Sequence, residues 1–127
     1  MSYIHYNANP ANNYVDDCTI RAISTLTGRP WREVYLGVVE KGYEQYVMPS
    51  TNKAWMSYMR ELGFVRHALP DTCPDCYSVR EFCRDHPFGK YLVATHGHVL
   101  AVINGDYYDT GDSGDEIPVS FWSFERR

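Results

Sequence analysis

The stretch "GHVLAVINGDYYDTGDS", residues 97–113, carries the clearest fold signal in the chain. Two runs rich in β-branched and aromatic residues flank the dipeptide Asn104-Gly105. Such a dipeptide between two strand-like runs predicts a β-hairpin, because both residues tolerate the positive φ of a tight turn. We therefore predict two antiparallel strands on either side of Asn104-Gly105.

Further elements are predicted outward from this hairpin. "YLVAT" (91–95) and "IPVSFWSF" (117–124) extend the predicted antiparallel sheet over about residues 90–125. Residues from about 14 to 87 carry four helix signals instead. These are the spaced residues Ile20, Ile23 and Leu26, the run from Pro30 to Gly42, the face of Trp55, Tyr58, Met59 and Leu62, and the capping box Ser78–Glu81. The order predicts a single α+β domain over residues 1–127, with helices packed on one sheet face.

Charge and composition narrow the classes of partner. The chain has 127 residues, a net charge of -4 and a pI near 5.7, which argues against a surface for nucleic acid or an anionic membrane. No stretch is long and apolar enough to suggest a membrane span, and the N-terminal residues lack the features of a signal peptide. We therefore expect a cytoplasmic protein with four reduced cysteines, no cofactor, and no nucleic-acid or membrane partner. The oligomeric state is left open.

Cys18 stands apart from the other three cysteines, as the first or second residue of the first predicted helix. Free backbone N–H groups and the positive end of the helix dipole stabilise a thiolate there, and Asp16 or Asp17 can cap the helix. Burial as a small apolar residue is the alternative interpretation of Cys18. A nucleophilic role requires a base nearby.

His98, at the start of the first hairpin strand, is the candidate base. The neighbouring strand then supplies an acid to orient it, and the length of the turn decides which one. A three-residue turn places Asp112 opposite His98, whereas a two-residue turn makes Asp109 the nearest carboxylate on the same face. Both registers remain open on these grounds.

Three motifs together resemble the papain-like cysteine peptidase fold, in particular compact C39-like proteins of bacteria and phages. The motifs are Asp17-Cys18 before "TIRAIS", "GHVLAVI" with His98, and "YYDTGDS" with Asp112. The resemblance implies a triad of Cys18, His98 and Asp112, with Asp109 as the alternate acid. It also implies an amide donor to the oxyanion shortly before the nucleophile, where Asn12 and Asn13 stand.

The activity implied by this resemblance is hydrolysis of a peptide or isopeptide bond in a peptide or protein substrate. The thiolate would attack the carbonyl carbon and the histidine would protonate the leaving amine. A non-catalytic binding module with the same fold is the alternative function.

A second pattern involves the clustered cysteines. The spacing Cys73-x2-Cys76-x6-Cys83-x2-His86 resembles a four-ligand zinc site, which would make the chain a small zinc-stabilised interaction domain. The loop is very short, however, and Cys83 falls on the apolar face of its predicted helix with Val79. Ordinary packing is therefore the favoured interpretation, and no metal is expected.

Overall fold

The computed structural model describes residues 2–70 and 76–124, which form a mixed α+β structure. It contains four helices and six strands within these residues. In chain order they are β1 (Tyr3–His5), α1 (Cys18–Thr27), α2 (Trp31–Gln45), α3 (Asn52–Glu61), β2 (Phe64–Ala68), α4 (Val79–Asp85), β3 (Lys90–Thr95), β4 (His98–Ile103), β5 (Asp106–Asp109) and β6 (Ser120–Phe124). No helix among the described residues is long and apolar enough to cross a membrane.

The six strands form one sheet in the order β1-β5-β4-β3-β6-β2. The four central strands pair antiparallel as predicted, but β1 pairs parallel with β5, so the sheet is mixed. The prediction of a purely antiparallel sheet confined to about 90–125 is therefore wrong. Strands β1 and β2 carry no strong local signal, and β2 lies inside the segment predicted to be helical.

The helices cover both faces of the sheet. One cluster of buried residues joins α1, α2 and α3 to Leu92, Ala101 and Trp122. A second cluster joins α4 to Val93 and Val102, whose side chains point to the opposite face because strand residues alternate. The prediction that all helices pack on one face of the sheet is therefore wrong, because α4 packs on the other face.

The turn between β4 and β5 has two residues. Ile103 pairs with Asp106, and the intervening Asn104 and Gly105 have φ values of 49° and 81°. Positive φ at both positions gives a turn whose twist matches that of the flanking strands. This register settles which residues of β5 lie beside His98.

Helix α1 begins at Cys18 and ends at Thr27. The next residue, Gly28, has a φ of 75° and donates its N–H to the Ser24 carbonyl oxygen at 2.9 Å. This is the left-handed cap that glycine favours. The buried face of α1 carries Ile20, Ile23 and Leu26, and it packs directly on β4. Packing of α1 on β4 places the first residue of the helix next to the first residue of that strand.

Candidate active site

Cys18 lies half-buried at the N-terminus of α1, where it interacts with His98 and with the backbone of Val99. Burial alone raises the pKa of the Cys18 thiol. The hydrogen bonds from His98 and Val99 and the positive charges of His98 and Arg21 outweigh burial, so that the pKa is lowered. A larger fraction of Cys18 is therefore ionised near neutral pH than of an ordinary cysteine.

His98 joins Cys18 to a carboxylate on the neighbouring strand. Its Nε2 lies 2.6 Å from Oδ2 of Asp109, at the end of β5. The hydrogen bond to Asp109 and then the one to Cys18 raise the pKa of His98 to about 10, against the opposing effect of burial. Since Nε2 is occupied by Asp109, Nδ1 is the ring nitrogen left to exchange a proton with Cys18. The arrangement favours a thiolate–imidazolium pair.

Asp109 is buried, with only 6% of its surface exposed. Burial raises its pKa, but the bond to His98 and further donors lower it below the ordinary value. Ser113 Oγ donates to Oδ2 at 2.8 Å, and the N–H of Thr110 donates to Oδ1 at 2.8 Å. These partners fix both oxygens of the carboxylate and keep it ionised.

Asp112 does not contact His98. Its Oδ1 accepts a hydrogen bond from the Tyr107 hydroxyl at 2.6 Å, and Arg80 donates to both of its oxygens at 3.1 and 3.2 Å. The two-residue turn explains the correction, because it aligns Tyr108 with Ala101 and so brings Asp109, rather than Asp112, to the His98 side of the hairpin. The alternate acid predicted from the shorter turn is the one that lies beside His98.

Arg21 links the two acidic groups that flank this site, a feature absent from the sequence-based prediction. It follows Cys18 by about one helical turn and is almost fully buried, with 11% of its side chain exposed. One guanidinium nitrogen pairs with Asp17, and the other lies 3.9 Å from Oδ1 of Asp109. The acidic residue four positions before Arg21 is the only local signal for this arrangement.

Asp17 stands at the N-cap position of α1 but makes no side-chain cap. Besides pairing with Arg21, its carboxylate accepts hydrogen bonds from Nε1 of Trp31 at 3.0 Å and from Nδ2 of Asn9 at 3.4 Å. Asp17 therefore occupies the predicted N-cap position, but its side chain does not cap the helix. Asp17 therefore connects the start of α1 to α2, and its carboxylate pairs with Arg21.

Asn12 and Asn13, the residues expected at the oxyanion hole, are both exposed, and neither lines the cavity that contains Cys18 and His98. The N–H of Asn12 instead donates to the Asn9 carbonyl oxygen, and the Asn13 carbonyl oxygen accepts from the Asn7 side chain. The chain turns at Asn12, where φ is 55°. Asn12 and Asn13 are therefore not at the cavity of Cys18, although they are only a few residues before it in the sequence.

The cavity beside Cys18 and His98 has a volume of about 360 Å³. Its walls include residues of α1 and α3, the middle of β2, and the ends of β3, β4 and β6. Asn52 of α3 lines it and accepts a hydrogen bond at Oδ1 from Nε1 of Trp55 at 3.0 Å. An indole can only donate, so this bond fixes the amide orientation and leaves the Asn52 NH2 group as a donor.

Of the clustered cysteines, Cys73 is outside the described residues. Cys76 and Cys83 do not line this cavity. Cys76 is disulfide-bonded, contrary to the expectation of four thiols, and cannot serve as a zinc ligand in that form. Cys83 is buried in the cluster around α4, as its apolar neighbours predicted, and His86 stacks on Phe82. Across residues 2–70 and 76–124, no three His, Cys, Asp or Glu side chains are grouped to hold a metal.

No protein-family model, curated protein or solved structure matches the chain.

Proposed function

We propose that the protein is a papain-like cysteine hydrolase that cleaves a peptide or isopeptide bond through a triad of Cys18, His98 and Asp109. The observation that supports the proposal is the position of His98, which interacts with the Cys18 thiol on one side and with buried Asp109 at 2.6 Å on the other. A nucleophile, a base and an orienting acid in this order are the requirements for covalent acyl transfer.

The arrangement of elements also supports a papain-like fold over the whole chain as one domain. The thiol begins a helix that packs on the sheet, the histidine begins a strand beneath that helix, and the acid lies on the next strand. These positions match the features that suggested the resemblance, with Asp109 in place of Asp112.

In the proposed reaction, the Cys18 thiolate attacks the carbonyl carbon of the scissile amide and forms a C–S bond. The His98 imidazolium donates its proton to the leaving nitrogen as the C–N bond breaks. Neutral His98 then removes a proton from water, whose oxygen attacks the thioester and releases the acid and the thiolate. Asp109 holds the imidazole ring and stabilises its charged form throughout.

The developing oxyanion requires hydrogen-bond donors, and two are available. The backbone N–H of Cys18 lies in the first turn of α1, where N–H groups have no partner within the helix. Asn52, whose NH2 group is left as a donor by the bond from Trp55, lines the same cavity. We assign the oxyanion role to these two groups, in place of Asn12 and Asn13.

The proposal is tested by alkylation and by peptide cleavage. Iodoacetamide should modify Cys18 selectively near neutral pH, and His98→Ala should slow the reaction, as measured by peptide mass mapping. A peptide library derived from a proteome digest should yield new termini with the wild-type protein and none with Cys18→Ala. Slow, unselective alkylation would contradict the triad. Selective alkylation without any cleavage would instead favour the non-catalytic binding module.

A further inference from the structure

Arg66 is an exposed residue that lines the cavity beside Cys18. It lies on β2, where its Cα partner on β6 is Trp122. Partners in an antiparallel pair project to the same face, and Trp122 packs among the residues of α1 to α3. Arg66 therefore projects to the helix-covered face of the sheet, where it lines the 360 Å³ cavity together with Cys18 and His98.

The guanidinium of Arg66 has no hydrogen bond or ion pair with any residue in the described part of the chain. Arg21, Arg29 and Arg80 are paired with carboxylates, whereas Arg32, Arg60 and Arg84 likewise have no ion pair among the described residues. Arg66 is the arginine of this described part of the chain that lines the cavity. An unpaired guanidinium presents five N–H donors in a planar fork that matches a carboxylate. A cation left unpaired in the cavity that holds the nucleophile is suited to bind a charged group of the substrate.

The other charges in the cavity define its polarity. Asp16 is the only carboxylate that lines it among the described residues, and it lies at the α1 end, two positions before Cys18. Glu116 lies nearby, but its Oε1 accepts a hydrogen bond from Thr95 at 2.8 Å. The β2 wall is therefore the positive side of the cavity, and an acidic side chain is favoured there.

We propose that Arg66 is a specificity-determining residue that binds an Asp or Glu side chain close to the scissile amide, so that the enzyme prefers acidic peptides. This inference rests on the proposed function, because it names the substrate class of the same site.

The test uses peptidyl vinyl sulfones that differ at one residue. Glu, Gln or Lys is placed in turn at each of the three positions on the acyl side of the electrophile. The Cys18 thiolate adds to the β-carbon of the vinyl group, a C–S bond forms, and the α-carbon takes up the proton of His98. The second-order rate of adduct formation is measured by intact mass. At one position, Glu should react about fivefold faster than Gln and Lys should be slower than Gln, as for an ion pair open to solvent.

The variants separate charge from structure. Arg66→Gln should abolish the Glu preference, whereas Arg66→Lys should retain part of it. Arg84→Gln removes an exposed arginine of α4 outside the cavity and should leave the preference unchanged. The preference should also decrease at high salt, because solvent-accessible charges are screened.

The rate with each probe is divided by the iodoacetamide rate of the same variant, so that nucleophilicity and recognition are distinguished. Selective iodoacetamide alkylation with equal Glu and Gln rates at every position would overturn the role of Arg66 alone. A Glu preference that survives in Arg66→Gln would do the same. Failure of Cys18 to react selectively with either reagent would overturn the proposed function and this inference together.

Discussion

Replacement of Asp109 by Asn tests the site most directly, because it removes the charge and nearly preserves the shape. The 2.6 Å bond to His98 joins two charged groups, and such bonds contribute about 1.5–3 kcal/mol. Its loss lowers the pKa of His98 from about 10 and weakens the imidazolium that stabilises the Cys18 thiolate. If about 1.4 kcal/mol of this bond energy is lost from the stabilisation of the thiolate, the pKa of Cys18 rises by about one unit. The ionised fraction of Cys18 then falls about tenfold at pH values below that pKa.

The assay is the rate of iodoacetamide alkylation of Cys18, measured over a range of pH by peptide mass mapping. In the wild type, the lowered pKa of Cys18 should place the midpoint of this profile below that of an ordinary thiol. Asp109→Asn should move the midpoint to higher pH. The alkylation rate should be about tenfold lower than in the wild type at acidic pH, and equal to it at high pH, where Cys18 is ionised in both proteins.

Asp112→Asn is the matched control, because it makes the same chemical change three residues away. Asp112 is exposed and contacts Arg80 and Tyr107 rather than His98, so the profile should not move. A profile that shifts in Asp112→Asn and not in Asp109→Asn would refute the assignment of the acid.

Misfolding of Asp109→Asn is controlled by a milder variant. Ser113→Ala removes the hydroxyl that donates to Asp109 at 2.8 Å and leaves the carboxylate in place. It disturbs the same buried cluster while the carboxylate stays beside His98, so the alkylation profile should move much less than in Asp109→Asn. Thermal unfolding by circular dichroism identifies which variants are folded, and an unshifted profile in folded Asp109→Asn would count against the triad.

Three further predictions concern the surroundings of the site. Arg21→Gln should raise the pH midpoint of Cys18 alkylation, because the positive charge of Arg21 lowers the pKa of the thiol. It should also lower the free energy of unfolding in urea by about 3 kcal/mol, because buried Asp17 loses its charged partner. An unchanged urea midpoint would argue against that pair. Cys83, whose pKa burial raises to about 11, should resist alkylation at pH 8 until denaturant is added, and labelling of the native protein would contradict its burial. Ser78→Ala removes the acceptor for the Glu81 N–H and should cost about 1 kcal/mol, which thermal unfolding would reveal as a lower Tm.

Elements with strong local signals could be predicted from the sequence. Ser78 caps α4 through the Glu81 N–H, and Gly28 ends α1 in the left-handed conformation. Asn104-Gly105 forms the turn between β4 and β5. In each case neighbouring residues determine the conformation, so a short window of sequence contains the necessary information.

Features that depend on distant residues could not be predicted in the same way. Strand β1 is ordered by pairing with β5, about a hundred residues later, and its three residues have no pattern of their own. The choice between Asp109 and Asp112 depended on one residue of turn length, which the sequence left open. The contact of Arg21 with Asp109 and the place of Arg66 in the cavity of Cys18 depend on how α1 and β2 pack in three dimensions.

The separation of Cys18 and His98 along the chain, about 80 residues, has a consequence for folding kinetics. Contacts between distant residues form late when the intervening loop is costly to close, and β4 must be in place before His98 can lower the pKa of the thiol. Enhanced reactivity of Cys18 should therefore develop only when α1 docks on β4. Pulsed alkylation during refolding would then time the completion of the native topology without an engineered probe residue.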